Sequence, residues 1–402
     1  MSRRLAAPAL AFAAALGAFS VLSGADARPA ASQGEVSALT ARGFSALQEA
    51  RETGDPGAQD RAQVAFERAR RLDPGDVDAA VGLGTLAMSR HHFRAGLRYG
   101  QEAVRRAPAL ARPYALLVDA QVELGRYGAG RRSVDRMVAL RPDLASYARV
   151  SFQRELRGDL DGAMEAMELA VASGGPAAEN AAYAQSLLAH LEALRGRRGA
   201  ARRAYGEALR RVPRYVPALA GLARLDAGEG RIGRAVTRMR DVVRRQPLPE
   251  HVVALGELEL QAGDARRAQG RFDEQRRTMS RLGSDEDVSL ALLEAEHGDP
   301  QRAVRVGRRA WRSAPSVHAA DALGWALTRA GRPADGLRWA RRALRLGSAD
   351  PAFLARAGLS AAASGDRRAS RTYLRRALAR DPRFSAVWAP RARRALDLPP
   401  AG

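Results

Sequence analysis

From residue 36 to residue 382 the chain repeats one layout of apolar and polar positions. A first, apolar helix ends at a glycine followed by aspartate or arginine, and a second helix then runs up to a proline. These turns stand at Gly125-Arg126, Gly158-Asp159, Gly196-Arg197, Gly230-Arg231, Gly263-Asp264, Gly298-Asp299, Gly331-Arg332 and Gly365-Asp366. Glycine accepts the left-handed conformation that closes a helix, and proline ends one helix and helps to start the next. The prolines keep time. Pro74, Pro108, Pro142 and Pro176 stand 34 residues apart, and Pro213, Pro247, Pro315 and Pro382 continue the series with small slips. Self-similarity at such a period is the sequence mark of stacked helical hairpins, so an all-α chain is expected.

Individual units carry recurring side chains in phase with that beat. They include Ala62, Phe66, Ala69 and Pro74 in the first unit, and Leu83, Gly84, Ala103 and Pro108 in the second. Tyr114, Leu117 and Pro142 mark the third, and Leu222, Ala223, Ala235 and Pro247 the sixth. In these residues the chain resembles the tetratricopeptide repeat family over residues 36–396. The resemblance implies a right-handed α-solenoid of about ten tandem helix-turn-helix repeats, with large side chains filling gaps between small ones. Departures are an insertion around Thr53 to Asp60, Arg281 and Ala349 in place of proline, and Trp325 where the family has a small residue. Residues 383–398 read as a C-terminal capping helix, with Phe384, Val387, Trp388 and Leu396 inside and Arg391, Arg393 and Arg394 outside; residues 399–402 are a tail.

The first residues read as an address. Arg3 and Arg4 precede an apolar run from Leu5 to Leu22, and Ala25-Asp26-Ala27 offers a cleavage site for a secretory signal peptide. Residues 1–27 are therefore expected to be removed, with an uncleaved N-terminal membrane anchor as the alternative for a run of this length, residues 28–35 to form a flexible lead-in, and the protein to reach the cell envelope or the exterior.

Composition supports many short helices. The chain is 46% hydrophobic but 5% aromatic, and its 38 glycines and 20 prolines are too many for helix interiors, where each costs about 1 and 3 kcal/mol. The net charge of +22 points first to polyanions. All 66 basic residues are arginine, however, spread along the chain without a nucleic-acid reading motif, a usage that matches GC-rich codons. Nucleic acid is accordingly the lesser expectation. Binding of an anionic envelope polymer or nucleic acid through the arginine surface stands as the alternative to protein binding. Without cysteine the chain has no disulfide, thiolate metal site or cysteine nucleophile.

Catalytic patterns are missing from the sequence. A chain without lysine cannot build a Walker-type phosphate loop or a Schiff base. No H-E-x-x-H or G-x-S-x-G occurs. His91 and His92 are adjacent and so face apart, at a position where other units turn. Arg157-Gly158-Asp159, an adhesion-type tripeptide, also coincides with a turn, and Glu165 and Glu168 read as a solvated helix face. No catalytic, cofactor-binding or metal-binding residue is expected, and no cofactor.

Function then falls to the groove that the resemblance implies along the first helices. The positions facing it in that family correspond here to Arg112, Asp119, Glu123, Arg149, Gln153, Arg157, Tyr183, His190 and Arg224. This set is polar where the ninth and tenth units offer alanine. Arginine pairs bidentately with carboxylates, so an acidic peptide or protein segment is the expected partner.

Overall fold

The computed structural model describes residues 30–174, 177–281 and 288–397. The expected signal segment, Pro176 and the 399–402 tail lie outside them. The described residues are all-α, a run of tandem helix hairpins that divides into two compact units, residues 1–149 and 150–402, inside one helix. The first unit holds α1 (Ala30–Thr53), α2 (Pro56–Leu72), α3 (Val77–Ser89), α4 (Phe93–Arg106), α5 (Ala111–Glu123), α6 (Tyr127–Leu140) and the start of α7 (Leu144–Glu155). The second continues with α8 (Leu160–Ala172), α9 (Ala178–Leu194), α10 (Arg198–Arg211), α11 (Val216–Gly228), α12 (Ile232–Arg245), α13 (Pro249–Gln261) and α14 (Ala265–Arg281). It ends with α15 (Val288–His297), α16 (Pro300–Ser313), α17 (Val317–Arg329), α18 (Pro333–Ala343), α19 (Pro351–Ala363), α20 (Arg367–Leu378) and a short α21 (Trp388–Arg394).

Punctuation follows the sequence. Pro74, Pro108, Pro142, Pro213, Pro247 and Pro315 each sit two residues beyond the end of a second helix. The residue before each proline is pushed out of the helical region by the ring, as Asp73 (φ −134°) and Val212 (φ −131°) show. Seven of the eight expected turn glycines have positive φ; Gly298 does not. There the carboxylate of Glu294 accepts the Asp299 N–H at 3.1 Å and holds the turn instead. In the second hairpin His91 takes the left-handed conformation (φ 61°), a glycine's role filled by a side chain.

Packing is by insertion of large groups against glycine. The Phe66 ring is wholly buried beside Gly43 and Gly82, where an added Cβ would collide with it. Burying such a ring contributes about 1.5–3 kcal/mol. Residues 30–35, expected to be a flexible lead-in, are instead the first turns of α1. Glu35 pairs with Arg68 of α2 at 2.6 Å, and Val36 and Leu39 bury against Ala69 and Ala79, which draws the segment into the first hairpin.

Arginines also staple the second unit from within. Asp226 on α11, fully buried, receives Arg202 from the preceding hairpin and Arg231 from the following turn, both at 2.8 Å, and Arg238 of α12. One repeat later Glu259 of α13 receives Arg240 of α12 at 3.0 Å and Arg271 of α14 at 2.6 Å. Glu294 of α15 repeats the arrangement with Arg276 and Arg302. Each buried carboxylate thus draws a cation from the hairpin before and a cation from its own. Part of the arginine content is spent inside the fold.

Candidate functional site

The residues expected to line a groove fall into separate groups. In the first unit Arg112 of α5 pairs with Asp78 of α3 and lies 4.9 Å from the Phe44 ring centroid. Asp119 and Arg149 are both buried in one bidentate pair, Nε to Oδ1 at 2.8 Å and Nη2 to Oδ2 at 2.6 Å. The Arg149 Nη1 also donates to the Ala145 carbonyl at 3.0 Å. This pair ties α7 to α5 and presents little to solvent. Glu123 follows one turn after Asp119. Burial, then the neighbouring Asp119 charge, pushes its carboxyl up to about 8.

In the second unit Gln153 and Arg157 sit one turn apart on and just past α7, and Arg157 donates to the Gln153 carbonyl at 2.6 Å. The Gln153 Nε2 is buried without a hydrogen-bond partner among the described residues. Tyr183 of α9 packs half-buried on the cluster around Ala182 and Tyr205. His190 lies 3.3 Å from Glu155, and Arg224 is exposed beside the Tyr205 hydroxyl. Gly158 is not an open adhesion loop: a Cβ there would collide with the Gly347 carbonyl, and Asp159 caps α8 by accepting from Gly162. Glu165 and Glu168 are exposed, as a solvated face requires.

His190 and Arg224 come together. Both line a cavity of about 130 Å³ whose other charged walls are Arg198, Arg376, Arg380 and Asp381. Arg198 is largely spent on Glu229 (3.0 Å) and Asp381 (2.6 Å). Burial raises Glu229, but hydrogen bonds from Arg198 and Arg202 outweigh it and hold the carboxyl at about 2. Arg224, Arg376 and Arg380 are exposed. The cavity therefore carries an excess of positive charge and suits an anionic group. Arg198, Arg376 and Arg380 were not anticipated, because nothing in a single repeat shows that the ninth and tenth hairpins return to the fifth and sixth.

The C-terminal segment also departs from expectation. A cap would cover only the last hairpin. Phe384 and Trp388 do pack on Leu354, Ala355 and Ala377 of the last hairpin, but residues 380–396 also fold back within the second unit: Arg198 donates to the Arg383 carbonyl at 3.2 Å, and Ala386 packs on the Val216–Ala220 cluster. Trp388 meets Trp325 edge-on at 5.3 Å, and Arg391 pairs with Glu296 at 2.6 Å. Arg393, expected outside, is buried and donates to the Pro382 carbonyl; Arg394 is exposed. The reason is Trp325. A large aromatic in place of a small residue gives Trp388 an apolar contact beyond the last hairpin. That departure was visible in the sequence.

Among the described residues no cluster of three or more His, Asp or Glu could hold a metal ion, and no helix is long and apolar enough to cross a membrane. No family model and no curated protein matches the chain. Among solved structures it is similar to the APC/C hetero-tetramer Cut9-Hcn1, at 15% identity over 90% of this chain and 76% of that one, with a TM-score of 0.43. A tetratricopeptide repeat protein from Parabacteroides merdae is similar at 15% identity over 62% of this chain and 98% of that one, with a TM-score of 0.42. PilW, a type IV pilus biogenesis factor, is similar at 15% identity over 52% and 97%, with a TM-score of 0.42. These likenesses concern the fold alone.

Proposed function

We propose that this chain, an array of tetratricopeptide-type helix hairpins, is an exported, non-catalytic scaffold that holds an acidic segment of a protein partner. The observation that carries the reading is the arginine-rich cavity of the second unit, where His190 and Arg224 meet Arg376 and Arg380. Guanidinium groups on a fixed wall of helices favour carboxylates, which they bind bidentately. Export rests on the three-part N-terminal segment, 1–27. The groove residues of the first unit, Arg112, Asp119, Glu123 and Arg149, serve mainly as supports for that unit, while Tyr183, His190 and Arg224 face the partner.

Affinity capture from the exported fraction tests this. The full-length protein should retain a discrete partner at 0.3 M salt, and Arg224→Glu with Arg376→Glu should lose it. Binding that falls steeply with salt and extends to unrelated polyanions, unchanged in the double variant, would replace the reading with electrostatic adhesion.

A further inference from the structure

The 380–396 segment is held as a bound peptide is held. Successive hairpins stack on their neighbours, so their ion pairs join residues about one repeat apart. Residues 381–391 instead reach back 183 residues to Arg198 and 95 residues to Glu296. The segment has one short helix of its own, started by the Ser385 hydroxyl, which accepts the N–H groups of Val387 and Trp388. Its backbone makes one further turn, Phe384 N–H to the Asp381 carbonyl at 3.2 Å, and offers the Arg383 carbonyl to Arg198, while Ala389 and Ala392 are buried.

Three anchors do the holding, and each has a definite chemistry. Asp381 is bound by the Arg198 guanidinium at 2.6 Å. Seven residues on, Trp388 lies edge-on to Trp325 and under the Arg356 guanidinium, 5.1 Å from its ring centroid. Three residues further, Arg391 pairs with Glu296, whose other oxygen accepts the Trp325 Nε1–H at 2.5 Å. The receiving groups are arranged without the segment's help. Arg356 is fixed by a buried bidentate pair with Asp321 at 2.5 and 3.1 Å, and Arg198 by Glu229. Glu296 is oriented by the Trp325 Nε1–H, and with the segment docked its side chain is only 5% exposed and paired with Arg391. Preorganised donors, an aromatic platform and a waiting carboxylate make a recognition surface.

We infer that residues 381–396 occupy, in the resting chain, the site of a partner segment with the same spaced chemistry: an acid, an aromatic seven residues later, and an arginine or lysine three beyond. This partner is the acidic segment proposed above, now with an aromatic and a cation added: Asp381 and Phe384 wall the cavity only while the segment is docked, and its departure leaves Arg198, Arg224 and Arg376 to the partner's acid, so the inference rests on that reading. The chain's own segment competes for the site, so partner affinity is reduced by the fraction of time the segment is docked.

The test is a titration of a labelled peptide of residues 381–396 into two full-length proteins, wild type and Trp388→Ala with Arg391→Glu. The opened variant should bind the peptide at least about tenfold tighter than wild type. In a Trp388→Ala, Arg391→Ala background, adding Glu296→Arg should abolish binding of that peptide and restore binding of the Arg391→Glu peptide. Equal binding by both proteins, or none by an opened variant of unchanged helical circular dichroism, overturns the inference. If the opened variant unfolds, the segment is core and the inference also fails. Hydrogen exchange on the wild type gives an independent check: amides of 387–395 should exchange together and well before those of α17 and α19, and equal protection contradicts it. Failure to capture any partner from the exported fraction would sink the preceding reading without touching this titration.

Discussion

The two units use one hairpin in two ways. In residues 1–149 the pair Arg68–Glu35 lies within the first hairpin, and Arg70–Glu102, Arg112–Asp78 and Arg149–Asp119 join successive hairpins, so these links reach no further than a neighbour. In residues 150–402 the chain also closes on itself. Gly196 runs against the Arg380 backbone, Gly228 against Arg383, and Arg198 binds Asp381. Both units contain a buried bidentate pair between successive first helices, Asp119–Arg149 in one and Asp321–Arg356 in the other. In the first unit the pair is simply a strut. In the second, the same strut holds Arg356 over the Trp388 ring, so a structural device becomes part of a binding wall. The difference teaches that the repeat fixes where side chains stand, while non-neighbour contacts decide whether they recognise anything.

Breaking the internal staples should separate the units most sharply. Asp226→Ala removes the buried acceptor of Arg202, Arg231 and Arg238, which stay partly exposed, and should cost about 2–3 kcal/mol. Native-state hydrogen exchange should show that loss in α11 to α13, with α3 to α5 unchanged. A loss below about 1 kcal/mol would show that the carboxylate is not a staple.

A smaller effect sets the units apart by pH. Glu123 has its folded pKa raised from 4.5 to about 8, so the unfolded chain gives up that proton first and the first unit loses stability as pH rises from about 5 to 8. Glu229, lowered from 4.5 to about 2, does the reverse: its contribution in the second unit disappears as pH falls from about 4.5 towards 2. Glu123→Gln should flatten the alkaline decline of the first unit, and Glu229→Gln the acid decline of the second, when local stability is followed against pH. Unchanged slopes in both variants would mean that other groups govern them.

Much of this fold was legible before any coordinates. The prolines mark the ends of second helices because a pre-proline residue leaves the helical region, and the glycines mark turns because they reach positive φ. His91 shows that the turn is set by the repeat and not by glycine itself. The site was legible only in part. His190 and Arg224, named because groove positions recur with the repeat, line one cavity. Arg198, Arg376 and Arg380 join them through the return of the last hairpins on the fifth and sixth, and spacing within one repeat carries no record of that return. Asp119 and Arg149 were expected at the groove, and they are a buried pair between α5 and α7. Their complementary charges satisfy each other, which a list of polar positions does not reveal.

The most direct test of the account places a photo-crosslinking residue at Arg224 and, separately, at Leu169, which is half exposed on the second helix α8. Exposed to the exported fraction, the Arg224 protein should capture a partner through a peptide rich in Asp or Glu, and the Leu169 protein should capture none. Capture from Leu169 alone would place recognition on the second helices and contradict the account.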